Sequence, residues 1–79
     1  MDTIKLDYPI DFEGGKLAEI NVRRPKVSDV TAARKGKKDE AEQEVALIAT
    51  LTGLPVSAIE ELDLADYKKL QEVLGGFFG

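Results

Sequence analysis

Four carboxylates fall within seven residues, at Glu60, Glu61, Asp63 and Asp66. Acids this close could hold a hard cation, or divide general acid and general base duty between them. A calcium loop, however, needs about twelve residues with a central glycine and a distal glutamate, and no such spacing surrounds these acids. Helix capping explains three of them without an ion. Ser57 with Glu60 spells a capping box, and Asp63 with Asp66 stands where the last helix should begin. The chain has no histidine and no cysteine, so it lacks the commonest base near neutral pH, the strongest nucleophile and the thiolate of a zinc site. The glycine pairs at 14–15 and 75–76 lack the lysine and the strand–glycine–helix setting of a phosphate loop. These residues point away from catalysis, metals and cofactors, and toward binding.

The remaining charges are segregated. Residues 23–38 carry seven of the eleven basic side chains, Arg23, Arg24, Lys26, Arg34, Lys35, Lys37 and Lys38, against the single acid Asp29. Residues 39–79 carry nine acids against Lys68 and Lys69. A basic run beside an acidic half is a solvated surface, a site for an acidic protein partner or a nucleic-acid contact. The segment ALIATLTGLPVSAIEEL resembles a helix-turn-helix in the spacing of Leu47, Ala49, Gly53 and Ile59, so a small DNA-binding regulator is the alternative reading. Its recognition segment, Val56 to Leu62, presents Glu60 and Glu61 where DNA needs lysine, arginine and hydrogen-bond donors. The electrostatics oppose nucleic acid.

The elements that must position these groups are legible in the apolar pattern. Ile4, Leu6, Tyr8, Ile10 and Phe12 alternate with Lys5, Asp7 and Asp11, the period of a half-buried strand. Pro9 falls on the polar parity, which suits an edge strand. Glu13-Gly14-Gly15-Lys16 reads as a turn, and Ala18, Ile20 and Val22 alternate with Glu19, Asn21 and Arg23 in a returning strand. The hairpin is expected over about 3–23. After Pro25, Ser28 is placed to cap a short helix at about 29–35, stopped by Gly36. Asp39 opens a helix at about 40–52 with acids in its first turns and a stripe of Ala41, Val45, Ile48 and Leu51, widened by Leu47 and Ala49. Gly53 ends it. A short helix follows at about 57–61, and Leu64, Tyr67, Leu70, Val73, Leu74 and Phe77 mark the last at about 64–76.

The predicted fold is α+β, one domain over 1–79, with a β-hairpin packed against a small bundle of three to four helices. A hairpin is unstable alone, so its apolar face needs those helices. With 79 residues the chain buries only roughly 60% of its unfolded surface and gains much from a partner. The N-terminus has no apolar run, and no stretch approaches the ~20 apolar residues of a membrane span. A soluble cytoplasmic protein is expected.

The tail LGGFFG is unusual. Gly75 and Gly76 each cost a helix about 1 kcal/mol relative to alanine, so the last helix should fray there. Phe77 and Phe78 beyond it either fold back onto the hairpin and complete the core, or form an apolar hook for a partner.

Nearly the whole chain resembles the tail assembly chaperones of Mu-like and P2-like contractile-tailed phages. The most specific blocks are Arg23-Arg24-Pro25-Lys26, Leu51-Thr52-Gly53-Leu54-Pro55 and Leu62-Asp63-Leu64-Ala65-Asp66-Tyr67. The resemblance implies a non-catalytic protein that binds the long helical tape measure protein and keeps it soluble until the tail tube assembles. It also implies absence from the finished virion, and a second, longer product of a ribosomal frameshift that shares the same N-terminal domain. A structural tail component is a further alternative. The residues themselves suggest two binding surfaces. One is an apolar groove for a client helix at the C-terminus, formed by Tyr67, Leu70, Leu74, Phe77 and Phe78; the other is Arg23, Arg24 and Lys26 for client carboxylates.

Overall fold

The computed structural model describes residues 2–36 and 39–78. Among these the order is β1 (Asp2–Phe12), β2 (Gly15–Val22), α1 (Val27–Arg34), α2 (Glu40–Thr52), α3 (Val56–Glu60) and α4 (Leu64–Phe78). This is the expected α+β arrangement, an antiparallel hairpin followed by helices. Lys37 and Lys38 of the basic run lie outside the described residues, as does Gly79 of the tail.

The hairpin turns on two residues. Phe12 pairs with Gly15, and Glu13 and Gly14 between them both take positive φ, 48° and 79°. Paired positive φ values match the right-handed twist of the flanking strands. The strands do not keep one register. Lys5 pairs with Glu19 and Ile10 with Leu17, so four residues of β1, 6–9, lie opposite the single Ala18 of β2. Three extra residues change the parity, and the clean alternation expected along β1 breaks. Ile4 and Leu6 are buried, Ile10 and Phe12 are half-buried, and Tyr8 is 58% exposed. Pro9, which has no N–H to give, sits inside the irregularity.

The backbone groups freed there are claimed by α4. The Asp66 carboxylate accepts hydrogen bonds from the N–H of Asp7 at 2.9 Å and of Tyr8 at 3.0 Å. Asp66 is fully buried. Lys69, one turn on, reaches the same carboxylate at 3.3 Å, the Asp7 carboxylate at 2.9 Å and the Lys5 carbonyl at 3.0 Å. Asp66 is therefore not the helix cap that its position suggested. Asp63 alone caps α4, accepting from the Ala65 N–H at 2.9 Å.

Around this junction the core collects Ile4 and Leu6 from β1, Ile20 and Val22 from β2, Ile48 and Leu51 from α2, Ile59 from α3, and Leu70 and Leu74 from α4. The end of β2 is tied to α2 by the Arg23 N–H on the Leu51 carbonyl at 3.1 Å. Two stripe residues leave the core: Ala41 is exposed at the start of α2, and Leu64 is 67% exposed at the start of α4.

Several helix ends differ from expectation. α1 begins at Val27 with Lys26 at the N-cap, so Ser28 lies inside the helix. The cap is instead Asp29, whose carboxylate accepts the Lys26 N–H at 2.7 Å. α3 begins at Val56 with Pro55 at its N-cap, which puts Ser57 two positions past the cap, so the Ser57–Glu60 box does not form. Asp39 does cap α2 through the Ala41 N–H at 2.9 Å, and Gly53 closes that helix with φ 73°. Gly36 likewise follows α1 with φ 72°. α4 runs unbroken through Gly75 and Gly76 to Phe78, because half-buried Val73 and Phe77 pack on the core on either side of the pair.

Burial pushes the Asp66 pKa up, but the Asp7 and Tyr8 N–H groups and the Lys69 ammonium outweigh it and hold the carboxyl below its usual range. A carboxyl depressed in the folded state stabilises above its unfolded pKa of ~3.9, and that contribution is lost as pH falls through the folded value. The urea midpoint should therefore stay flat from about pH 7 to 5 and fall below about pH 4, and in Asp66→Asn the fall should be shallower. Asp66→Ala should cost about 3 kcal/mol at neutral pH, because two inward-facing N–H groups lose their acceptor. A cost below about 1 kcal/mol in denaturant titration would contradict this role. A methyl group at Gly75 or Gly76 would meet nothing within 4 Å. Gly75→Ala and Gly76→Ala should each raise stability by about 1 kcal/mol, whereas a frayed tail would show no change.

Candidate partner-binding site

The basic shoulder and the apolar C-terminus, two separate surfaces in the sequence, meet in the fold. Arg23 does not face a partner freely. Its guanidinium forms a two-pronged contact with Asp29 at 2.8 and 2.9 Å and also donates to the Arg24 carbonyl at 3.2 Å. Arg23 and the Lys26 N–H together hold the Asp29 carboxyl well below the usual carboxylate range. The pair braces the turn from β2 into α1. Arg24 points elsewhere: it is exposed, and its guanidinium lies 5.2 Å from the centroid of the Phe77 ring, within cation–π range. Lys26 is exposed beside it in sequence.

The two phenylalanines have different fates. Phe77 is half-buried against the core, and Phe78 is 61% exposed. Phe78 forms one edge of a shallow hollow of about 170 Å³ whose apolar lining is Val30 and Ala33 of α1, Leu47 of α2 and Leu74 of α4. Arg34 and Glu40 stand among its polar lining. Leu70 and Leu74 themselves are buried, at 1% and 8% exposure. Leu74 lines this hollow and Leu70 lies in the core, and neither offers a partner much surface.

Tyr67 is placed differently again. Its hydroxyl donates to Glu44 of α2 at 2.6 Å, and Gln71 donates to the same oxygen at 2.8 Å. Burial and the Glu44 carboxylate both push the phenol well above its ordinary pKa, so it stays protonated and acts as a clamp between α4 and α2. Glu44 and Lys69 were not singled out in the sequence as interacting residues, and Asp66 was read as a helix cap. Asp66 carried a readable signal, since at helical spacing it shares a face with Leu70, Leu74 and Phe77.

The four clustered carboxylates do not converge. Glu60 and Glu61 are exposed, Asp63 caps α4 and Asp66 binds β1. Among the described residues no group of three or more acids could hold a metal ion, and no helix is long and apolar enough to cross a membrane. The α2–turn–α3 segment keeps the left-handed glycine of a helix-turn-helix, but α3 is five residues long and ends in exposed acids.

No curated protein and no solved structure matches the chain. Residues 3–79 match the family described as phage tail assembly chaperone proteins, E, or 41 or 14. With that match spanning nearly its whole length, the chain belongs to the phage tail assembly chaperone family.

Proposed function

We propose that the protein binds the tape measure protein of a Mu-like or P2-like contractile-tailed phage and keeps it soluble in the host cytoplasm until the tail tube assembles around it. No catalytic step is involved, and the protein leaves before the virion is complete. A frameshifted longer form carrying the same domain is a natural second partner. The observation that carries this reading is the exposed Arg24 guanidinium over the half-buried Phe77 ring, with the exposed Phe78 the next residue along α4.

A helical client offers an apolar stripe to Phe78 and the hollow beside it, and carboxylates to Arg24 and Lys26. Phe77 supports the edge by fixing the Arg24 guanidinium, and Arg23 does so through Asp29. Tyr67, Leu70 and Leu74 hold the helix that presents it. The alternative of a DNA-binding regulator is disfavoured by exposed Glu60 at the end of the short α3 and exposed Glu61 just after it.

Co-expression with the tape measure protein from the same genome should keep that protein soluble and co-purify it. Arg24→Glu with Phe78→Ser should abolish co-purification while lowering stability by no more than about 0.5 kcal/mol, as expected for exposed positions. Phe77→Ser should cost about 2 kcal/mol because its ring is half-buried. A tape measure protein that stays insoluble with the wild-type chain, or salt-sensitive binding of duplex DNA in a gel shift, would overturn the reading.

A further inference from the structure

A second surface lies on the other side of α2. At about 100° per residue, Glu40, Gln43, Glu44 and Leu47, which line the hollow beside Phe78, fall on the opposite face of that helix from Ala41, Glu42, Val45 and Ala46. The latter four line a separate hollow of about 340 Å³, closed by Val56 and Glu60 of α3. A neighbouring hollow of about 220 Å³ is lined by Ile59, Leu62, Leu64 and Tyr67, and it shares Val45 and Glu60 with the first. The two therefore form one groove, running from α2 across α3 to the start of α4.

Two of the exposed large hydrophobic side chains stand in this groove, Val56 at 43% and Leu64 at 67% exposure. Leu64, like Ala41, is a residue that helical spacing assigned to the core and that the fold leaves out. The charged side chains lining the groove are Glu42 and Glu60, both exposed. Neither hollow has a lysine or arginine in its lining among the described residues. Glu61 and Glu13, with Glu60, extend the negative side toward the hairpin tip. Asp11 there is paired with Lys16 at 2.7 Å.

We propose that this groove docks an amphipathic helix that carries lysine or arginine on both flanks of its apolar stripe. The apolar floor takes the stripe, and the acidic rim selects the flanks. A helix flanked by acids is repelled, and an uncharged one leaves Glu42 and Glu60 without partners. The groove lies apart from the Arg24–Phe77 contact and from the hollow beside Phe78, so the inference stands whether or not the tape measure protein binds there.

The probe is a fluorescein-labelled peptide of about 18 residues, long enough for some helix on its own, with leucines at helical spacing and lysines on both flanks. A glutamate-flanked twin serves as its counterpart. Fluorescence anisotropy should show the lysine peptide binding the wild-type protein, more weakly as salt is added, with the glutamate peptide silent. Glu42→Lys with Glu60→Lys should weaken the lysine peptide by about tenfold and admit the glutamate peptide. Glu19→Lys with Glu72→Lys makes the same change in net charge outside the groove, and should alter binding by less than about twofold. Leu64→Asp should also weaken binding by about tenfold with an unchanged melting curve, and Phe78→Ser should leave binding unchanged.

Equal losses in the two charge-reversal pairs would reduce the effect to bulk charge and overturn the proposal. So would silence of both peptides, or equal binding of both by the wild type. Self-association of the protein that disappears in Leu64→Asp would assign the groove to a second copy, and would overturn it as well.

Discussion

The Asp66 carboxylate holds together the two parts of this fold that could not stand apart. A two-stranded hairpin has no independent stability, and β1 carries residues 6–9 against the single Ala18, leaving backbone donors without cross-strand partners. Asp66 takes two of them, from Asp7 and Tyr8. Lys69 supplies the countercharge and adds its own bond to the Lys5 carbonyl. A carboxylate with no solvent exposure is costly unless its oxygens are satisfied. Here the backbone irregularity and the buried charge answer each other, and neither is tolerable alone.

Consequences run outward from that junction. With β1 displaced in register, Tyr8 turns to solvent while Ile4 and Leu6 stay on the core. With α4 anchored at its first turn, Leu70, Leu74 and Phe77 are aimed at the hairpin and α2. Tyr67 and Gln71 then close on Glu44 and set the angle between α4 and α2. The same orientation leaves Leu64 outside, at the mouth of the acid-rimmed groove. It also carries Phe77 under Arg24 and Phe78 into solvent.

The charges sort into those engaged within the fold and those available outside it. Arg23 and Asp29 stabilise the turn into α1, and Asp66 and Lys69 the junction. At the surface, Arg24 lies over Phe77 and Lys26 is exposed two residues on, while Glu42 and Glu60 line the groove.

Periodicity and punctuation placed most elements correctly because they act locally. Alternation marked the hairpin, Gly53 and Gly36 marked helix ends through their left-handed backbone, and Asp39 and Asp63 marked helix starts through neighbouring N–H groups. The missing histidine and cysteine narrowed the chemistry before any geometry was known. Other features depended on residues far apart in sequence. Asp66 looked like a cap because capping is the local use of an acid in a first turn, and only the approach of β1, 59 positions away, made it an internal staple. Gly75 and Gly76 looked like a frayed end because their cost is intrinsic, whereas packing of Phe77 on the core carries the helix past them. Arg24 and Phe77 belonged to separate segments until the fold set one above the other. Local hydrogen bonding and side-chain periodicity thus determined the order and type of the elements. The register of β1, the fate of Asp66 and the surfaces left for a partner were decided by long-range packing, which no local pattern encodes.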